Sequence, residues 1–280
     1  FYSPQSLIAD ARRHGVEILP IDVNHSDVEA TAIDNPDLEP GAANSLRLGL
    51  GAVKGLGVRG AEAVVQARHD GGPFTRIADL SRRAGISVFQ VEALATAGAL
   101  RSMGIDRREG LWAAGIAAHE RPGMLPGMSE ISIPSLPGMS AFELAAADIA
   151  STGITADIHP VELLRKHLDT AGIVSISQLA SCEDSTRVTV AGTVTHRQRP
   201  GTAGGVVFLG LEDETGLANI TVSPGCWTRY RTVAQTSRMV AIRGIVHNAA
   251  GAVAVVADRI DSLDTTLGGA ALAGPSRDFR

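Results

Sequence analysis

The spacing of apolar residues changes once along this chain. Up to about residue 180 they recur at helical intervals, and from Arg187 they recur at every second position. Residues 3–15 predict a helix with Ser3 as its cap, Pro4 in its first turn, Gly15 at its end and Leu7, Ile8 and Ala11 on its apolar side. Val16 to Val23 reads as a short strand interrupted by Pro20, residues 24–45 as polar, acidic turns, and Leu46 to Leu50 as a brief strand. Residues 58–69 predict a helix through Ala61, Val64, Val65 and Arg68, which Gly71-Gly72-Pro73 stops. Two shorter helices follow, one carrying Ile77, Leu80 and Ala84, the other Val88, Val91, Leu94 and Ala95, joined by Gly85-Ile86-Ser87. Residues 121–140 form a Pro/Gly-rich linker containing Met124, Met128 and Met139, which either lie along a neighbouring domain or form a docking surface. Residues 140–150 and 160–171 read as helices, the second opened by His159-Pro160, with His159 as a cap or a satisfied buried group.

The stretch with most chemistry in it is Leu50-Gly51-Ala52-Val53-Lys54-Gly55-Leu56-Gly57-Val58-Arg59-Gly60-Ala61. Two glycines around one apolar residue allow a tight turn between short helices, with Leu56 as a plug and Ala61 where the helices cross. Amides left unpaired at a helix N-terminus suit a phosphate oxygen, and Lys54 and Arg59 flank the turn. This is the pattern of a helix-hairpin-helix, a device that holds a nucleic-acid backbone without reading bases. Lys54, Gly55, Leu56, Gly57 and Arg59 are its expected contacts. The Gly85 turn is a degenerate copy, with Ser87 in place of the second glycine. Arg82 and Arg83 precede it, as phosphate contacts or as a solvated helix face.

The period-two region predicts strands over residues 187–195, 206–212 and 217–222, a helix over 227–233, and strands over 239–247 and 253–260. Three strands, a helix and two strands is the order of an OB-fold barrel. The fold class is therefore α+β and multi-domain: a tandem helix-hairpin-helix domain followed by a five-stranded OB-fold β-barrel. In such barrels the strand 2–3 face and two loops bind nucleic acid. The first loop here, His196 to Gly205, contains Arg197 and Arg199 and no acid. Phe208 either offers a stacking face or packs inside, since alternation does not choose the side. Arg243 and His247 are further candidates, while Trp227 and Tyr230 are expected to pack the helix on the barrel. Glu212, Asp213 and Glu214 read as a solvated hairpin turn rather than a metal site.

Charge sharpens this division. The net charge is -5, yet residues 46–108 hold ten basic and five acidic side chains and residues 186–280 ten and seven, while the flanking blocks are acidic. A polyanion is drawn to the two motif-bearing blocks. Aromatics make up only 4%, so each one on a binding face carries weight. Cys182 and Cys226 have no zinc spacing, and a reducing cytoplasm is the plain expectation. No apolar run is long enough for a membrane span. The chain opens at Phe1 in mid-pattern, as a fragment of a longer protein would.

Several segments together resemble one family: Phe1-Tyr2-Ser3-Pro4, Val53-Lys54-Gly55-Leu56-Gly57, Gly72-Pro73-Phe74, Ala97-Gly98-Ala99-Leu100, His159-Pro160-Val161-Glu162-Leu163-Leu164, Val206-Val207-Phe208-Leu209, Leu211-Glu212-Asp213-Glu214-Thr215-Gly216 and Ser276-Arg277-Asp278-Phe279-Arg280. They are similar to the C-terminal part of bacterial C-family DNA polymerases of the polymerase III alpha type, and the short tail is most like the error-prone, translesion branch. The resemblance implies a layout: 1–45 the end of the fingers, 46–108 the tandem hairpins, 109–185 a connector, 186–265 the OB-fold and 266–280 a tail. It implies duplex DNA on the hairpins and single-stranded template near the barrel. It also implies translesion partner proteins, and indirect contact with a sliding clamp, since residues 109–140 contain no Gln-led clamp peptide. Catalytic carboxylates and their Mg2+ would lie in a palm outside this chain, which is expected to need no cofactor and to be inactive alone. Departures include Gly204, where the family often has Lys, and Ile149, where an aromatic is common.

Two other readings stand beside DNA gripping. One is a protein-interaction module docking translesion partners. The other is a self-standing junction or repair protein built from the same two modules.

Overall fold

The computed structural model describes residues 3–34, 43–117, 136–249, 252–264 and 277–279. It divides into two compact units, His14–Asp157, and Phe1–Arg13 with Ile158–Arg280.

The unit His14–Asp157 opens on a small sheet. Strand β1 (Glu17–Leu19) runs parallel to β3 (Ala43–Arg47), which pairs antiparallel with β2 (Thr31–Asp34). The stretch 24–45, expected as turns, thus contributes two strands: pairing with residues distant in sequence overrides a weak local pattern. The segment after β1 is polar but inside. The Asp22 carboxylate accepts hydrogen bonds from the amides of Asn24 and Ser102 and from the Ser102 hydroxyl. The Asn24 side chain exchanges two bonds with the Phe74 backbone, at 2.7 and 2.9 Å. Buried polar groups need such partners, so residues 22–26 become a fixed tie to the helices rather than a loose loop.

Those helices are α2 (Gly57–Gly71), α3 (Ile77–Ala84), α4 (Val88–Thr96), α5 (Arg107–Ala117) and α6 (Ala141–Ser151). Their apolar stripes meet through Leu56, Ala61, Val64, Leu80, Val91 and Leu94, all buried. Helix α6 starts at a capping box formed by Ser140 and Glu143. Arg107 joins α4, α5 and α6: it donates to the carbonyls of Thr96 and Leu144 and pairs with Asp148 at 2.5 Å. Burial pushes the Asp148 carboxyl up and Arg107 pulls it back only in part. Met124 and Met128 of the linker lie outside the described residues.

In the other unit α1 (Pro4–Arg13) and α7 (Arg165–Thr170) accompany a closed barrel. Strand β4 (Arg187–Gln198) pairs with β5 (Val207–Glu212), β5 with β6 (Leu217–Val222), β6 in parallel with β8 (Ala252–Ser262), β8 with β7 (Met239–Ala249), and β7 with β4. The connectivity is that of the expected five-stranded OB-fold. Helix α8 (Pro224–Thr236) spans β6 to β7, capped by Ser223, and seats Trp227 in the core with Val190, Leu209, Ile220, Ile242 and Val255. Tyr230 packs against that core. A short strand β9 (Arg277–Phe279) adds to β4 in parallel at His196 to Gln198.

Two expectations for this unit are corrected. Strand β4 continues past Thr195 through a bulge between Val194 and His196, because β5 supplies pairing partners as far as Phe208. The turn at Asp213 is not solvated: Asp213 is fully buried. Its carboxylate accepts from the amides of Ile176, Thr215 and Gly216, the Thr215 hydroxyl and Arg165. Arg165 Nε also donates to Glu214 at 2.5 Å. These acids organise the barrel rim. Among the described residues no group of three or more His, Cys, Asp and Glu is placed to hold a metal ion.

His159 is buried, its Nδ1 accepting the Val161 amide at 3.2 Å while Nε2 has no partner. Burial, followed by the charges of Arg12, Arg13 and Arg165, pushes its pKa down to about 3. The unfolded chain therefore binds the extra proton below the ordinary histidine value. Stability is lost as pH falls from about 6.5 towards 3, at roughly 1.4 kcal/mol per pH unit. Between pH 7 and pH 5 the native chain should lose about 2 kcal/mol more than His159→Asn. Denaturant unfolding followed by Trp227 fluorescence in a Trp112→Phe background measures the difference.

Candidate nucleic-acid interface

The first hairpin begins with a 3-10 turn, Leu50–Ala52, and passes through Lys54, Gly55 and Leu56 into α2. Gly55 and Gly57 take φ of 92° and 72°, the left-handed region that glycine enters freely. Leu56 is buried as the plug. No side chain caps the N-terminus of α2 and no acid lies in its first turn, so its leading amides face outward with the positive end of the helix dipole. Arg59, in that first turn, is exposed and has no partner among the described residues.

Lys54 has a different placement from Arg59. Its ammonium donates to the carbonyls of Ile149 and Ala150, at 3.1 and 3.0 Å, and its backbone amide to Ser151. It caps the C-terminus of α6, which leaves one of its three donors uncommitted.

The second hairpin is built otherwise. Ser87, in the position of the second glycine, accepts from the Gln90 amide, and the Gln90 side chain accepts from the Ser87 amide. The amides a ligand would need at the start of α4 are thus partly satisfied from within. Gln90 Nε2 also donates to the Leu56 carbonyl at 2.8 Å, and the Phe89 ring lies over Gly55, where a Cβ would meet it at 2.9 Å. The first turn of α4 buttresses the first hairpin.

The arginines before that turn do structural work too. Arg83 donates to the carbonyls of Ala67 and Gly72, pairs with Asp79 and lies 4.5 Å over the Phe74 ring, so it is neither a free cation nor a solvated one. Arg82 is more exposed and pairs with the same Asp79. Burial alone would raise the Asp79 carboxyl; hydrogen bonds from Arg83 and Arg82 outweigh it and hold it below its usual range.

On the barrel, alternation along β5 settles the side of Phe208. Val207, Leu209 and Leu211 are in the core, and Phe208 faces outward, half-buried. Residues paired directly across antiparallel strands share a face. Gln198 and Thr221 therefore flank Phe208, and His196 and Asn219 flank Gly210. The His196 ring lies over Gly210, where a Cβ would come within 2.2 Å of it, and burial lowers its pKa. The outer face of β4, β5 and β6 thus holds two rings, Phe208 and His196, among small polar side chains. At its far end Glu212 accepts from Ser6 of α1 at 2.9 Å, with Arg13 nearby. Burial pushes the Glu212 carboxyl up. Helix α1 therefore bounds the open part of the face.

The expectation for Arg197 is corrected. It pairs with the core residue Leu209, so it points inward, 7% exposed, and donates to the carbonyls of Ala234 and Ser237 at the end of α8. Arg199, one step beyond the strand, is exposed without a partner among the described residues. Arg243 is exposed but pairs with Asp258 at 2.7 Å on the opposite wall, and His247 is exposed near the end of β7. Reading the sequence missed His196, whose ring only the strand register places beside Phe208. It also missed Arg76, an exposed cation without a partner among the described residues.

Residues 15–110 match the helix-hairpin-helix motif, and residues 188–263 match the OB-fold nucleic acid binding domain. The molecule is thus a two-part protein built from a helix-hairpin-helix unit and an OB-fold. Over its whole length it is 59% identical to a protein of Corynebacterium efficiens named error-prone DNA polymerase, of which it covers 25%. It is 50% identical to one so named from Corynebacterium jeikeium, covering 28%, and 52% identical to one from Mycobacterium tuberculosis, covering 24%. The chain is homologous to the C-terminal part of these proteins and spans about a quarter of their length. Among the described residues no helix is long and apolar enough to cross a membrane.

The hairpin turn can be probed through its backbone. Nothing lies near the missing Cβ of Gly57, whereas that of Gly55 would press on the Phe89 ring. Gly57→Ala and Gly55→Ala should each cost about 1–2 kcal/mol, from left-handed strain alone at Gly57. Only Gly55→Ala should show coupling with Phe89→Ala in a double-mutant cycle of unfolding free energies.

Proposed function

We propose that this chain is the DNA-holding region of an error-prone DNA polymerase. The hairpin unit grips the backbone of duplex DNA and the barrel face holds single-stranded template. The uncapped, acid-free N-terminus of α2, with the unpartnered Arg59 beside it, is the observation that carries the reading. It offers amide donors and one exposed cation to a phosphate, and no acid or capping side chain among the described residues competes for them. Arg59 is the principal cationic contact; Lys54 contributes mainly by fixing α6 behind the turn. Arg82 is a peripheral contact and Arg83 a structural one. On the barrel Phe208 and His196 stack bases and Arg199 meets the backbone. Arg243 and His247 lie at the margin.

The nucleotidyl transfer belongs, on this reading, to the rest of the parent protein. The Mg2+ such a reaction uses would be held there too, and no chemical step is assigned to this chain. The parent would work in the cytoplasm on the nucleoid, with translesion partner proteins and a sliding clamp reached through one of them.

Titration of the chain with labelled duplex and single-stranded oligonucleotides across salt tests the assignment. Arg59→Ala should weaken duplex binding and lower the salt slope by about one, without loss of fold. Phe208→Ala with Arg199→Ala should reduce single-strand affinity at least tenfold and leave duplex binding intact. Duplex affinity unchanged by Arg59→Ala would sink the role of the hairpin. Single-strand affinity unchanged by the barrel pair would hand that face to a protein partner.

A further inference from the structure

Two apolar side chains beside the hairpin turn lie in water. Phe89 is 66% exposed and Val58 is 59% exposed, in a chain with few aromatics. Val58 lies in the first turn of α2, next to Arg59. Phe89 lies in the first turn of α4, and its ring edge touches Gly55. The backbone that carries the ring is fixed: Ser87 and Gln90 form a capping box at the start of α4, and Gln90 is tied to the Leu56 carbonyl. A helix whose buried face is already satisfied by Val91, Leu94 and Ala95 does not need a phenylalanine on its outer side for stability.

We propose that Phe89, with Val58, is an apolar shelf that packs against the deoxyribose edge of the nucleotide whose phosphate lies on the α2 amides. The proposal rests on the duplex-gripping reading above and adds a contact of another kind. Phosphate is met by amides and Arg59, which is an electrostatic, salt-sensitive term. A sugar edge is a row of C–H groups next to that phosphate, and an aromatic face beside the turn removes it from water at little conformational cost. The occupant follows from the surroundings: the turn between the two side chains presents unpaired amides, an unpartnered cation and no acid. This suits a polyanion with apolar flanks. Gly55 fits the same picture, since a side chain there would displace the ring from the turn.

The test separates the two kinds of contact. Duplex affinity of the whole chain is measured over a range of KCl for the parent, Phe89→Ala, Phe89→Leu and Arg59→Ala, with unfolding midpoints as a control for fold. Phe89→Ala should weaken binding about tenfold at every salt concentration with the slope unchanged, and Phe89→Leu should recover most of the loss. Arg59→Ala should instead lower the slope. If Arg59→Ala weakens binding and Phe89→Ala does not, the shelf is wrong and the grip stands. If Phe89→Ala lowers the slope as Arg59→Ala does, the ring acts by positioning the amides, and the sugar contact is overturned. If neither variant changes affinity, the duplex-gripping reading fails and the shelf fails with it.

Discussion

Cations bound to main-chain carbonyls hold much of this molecule together. Lys54 closes the end of α6, Arg83 the end of α2, Arg107 the end of α4, and Arg197 the end of α8. Arg68 does the same for the bend at Val23 and Ser26. The last carbonyls of a helix have no partner within it and carry the negative end of its dipole, so a cation there satisfies a donor deficit and a charge at once. Leaving such carbonyls buried and unpaired would cost about 1–3 kcal/mol each. These bonds add to the buried apolar contacts of Leu56, Ala61, Val64, Leu80, Val91 and Leu94 in fixing the elements that present the hairpin turn.

The same bonds change what the charge pattern means. Residues 46–108 hold ten basic side chains, and their excess over acids suggests a broad cationic surface. In the structure Arg47, Lys54, Arg68, Arg83, Arg107 and Arg108 bind carbonyls, and Arg82 and Arg101 pair with acids. Arg59 and Arg76 are the two of the ten that have no partner among the described residues. The surface of uncommitted cations is narrower than the composition implies, and Arg59 is the one that stands at the uncapped start of α2. The barrel repeats the lesson. Arg197 belongs to the interior, because the bulge at Val194 sets the phase that pairs it with Leu209, while Arg199, two residues on, lies past the end of the strand and is exposed.

The two hairpin turns are built unequally. The two hairpins share a layout, yet Gly57 leaves the start of α2 uncapped while Ser87 closes the start of α4 with a capping box. A hydroxymethyl group in place of a hydrogen supplies at α4 the cap that α2 lacks. Gln90 and Phe89 then brace the turn that remains open.

Much of this was legible in the chain itself. The spacing of Gly55, Leu56 and Gly57, the degenerate copy at Gly85, the change from helical to alternating period at Arg187, and the order of barrel elements all follow from local rules, because turn geometry and amphipathic period are properties of neighbouring residues. The strand Thr31–Asp34 and the first three residues of β3 were not legible, since they are specified by pairing rather than by local pattern. Nor were the side on which Phe208 lies, the burial of Asp213, or the capping roles of Lys54, Arg83 and Arg197. A basic residue is written the same way whether it faces a carbonyl or water. Only tertiary structure decides which, because the partner that claims it is brought there by a fold tens of residues away.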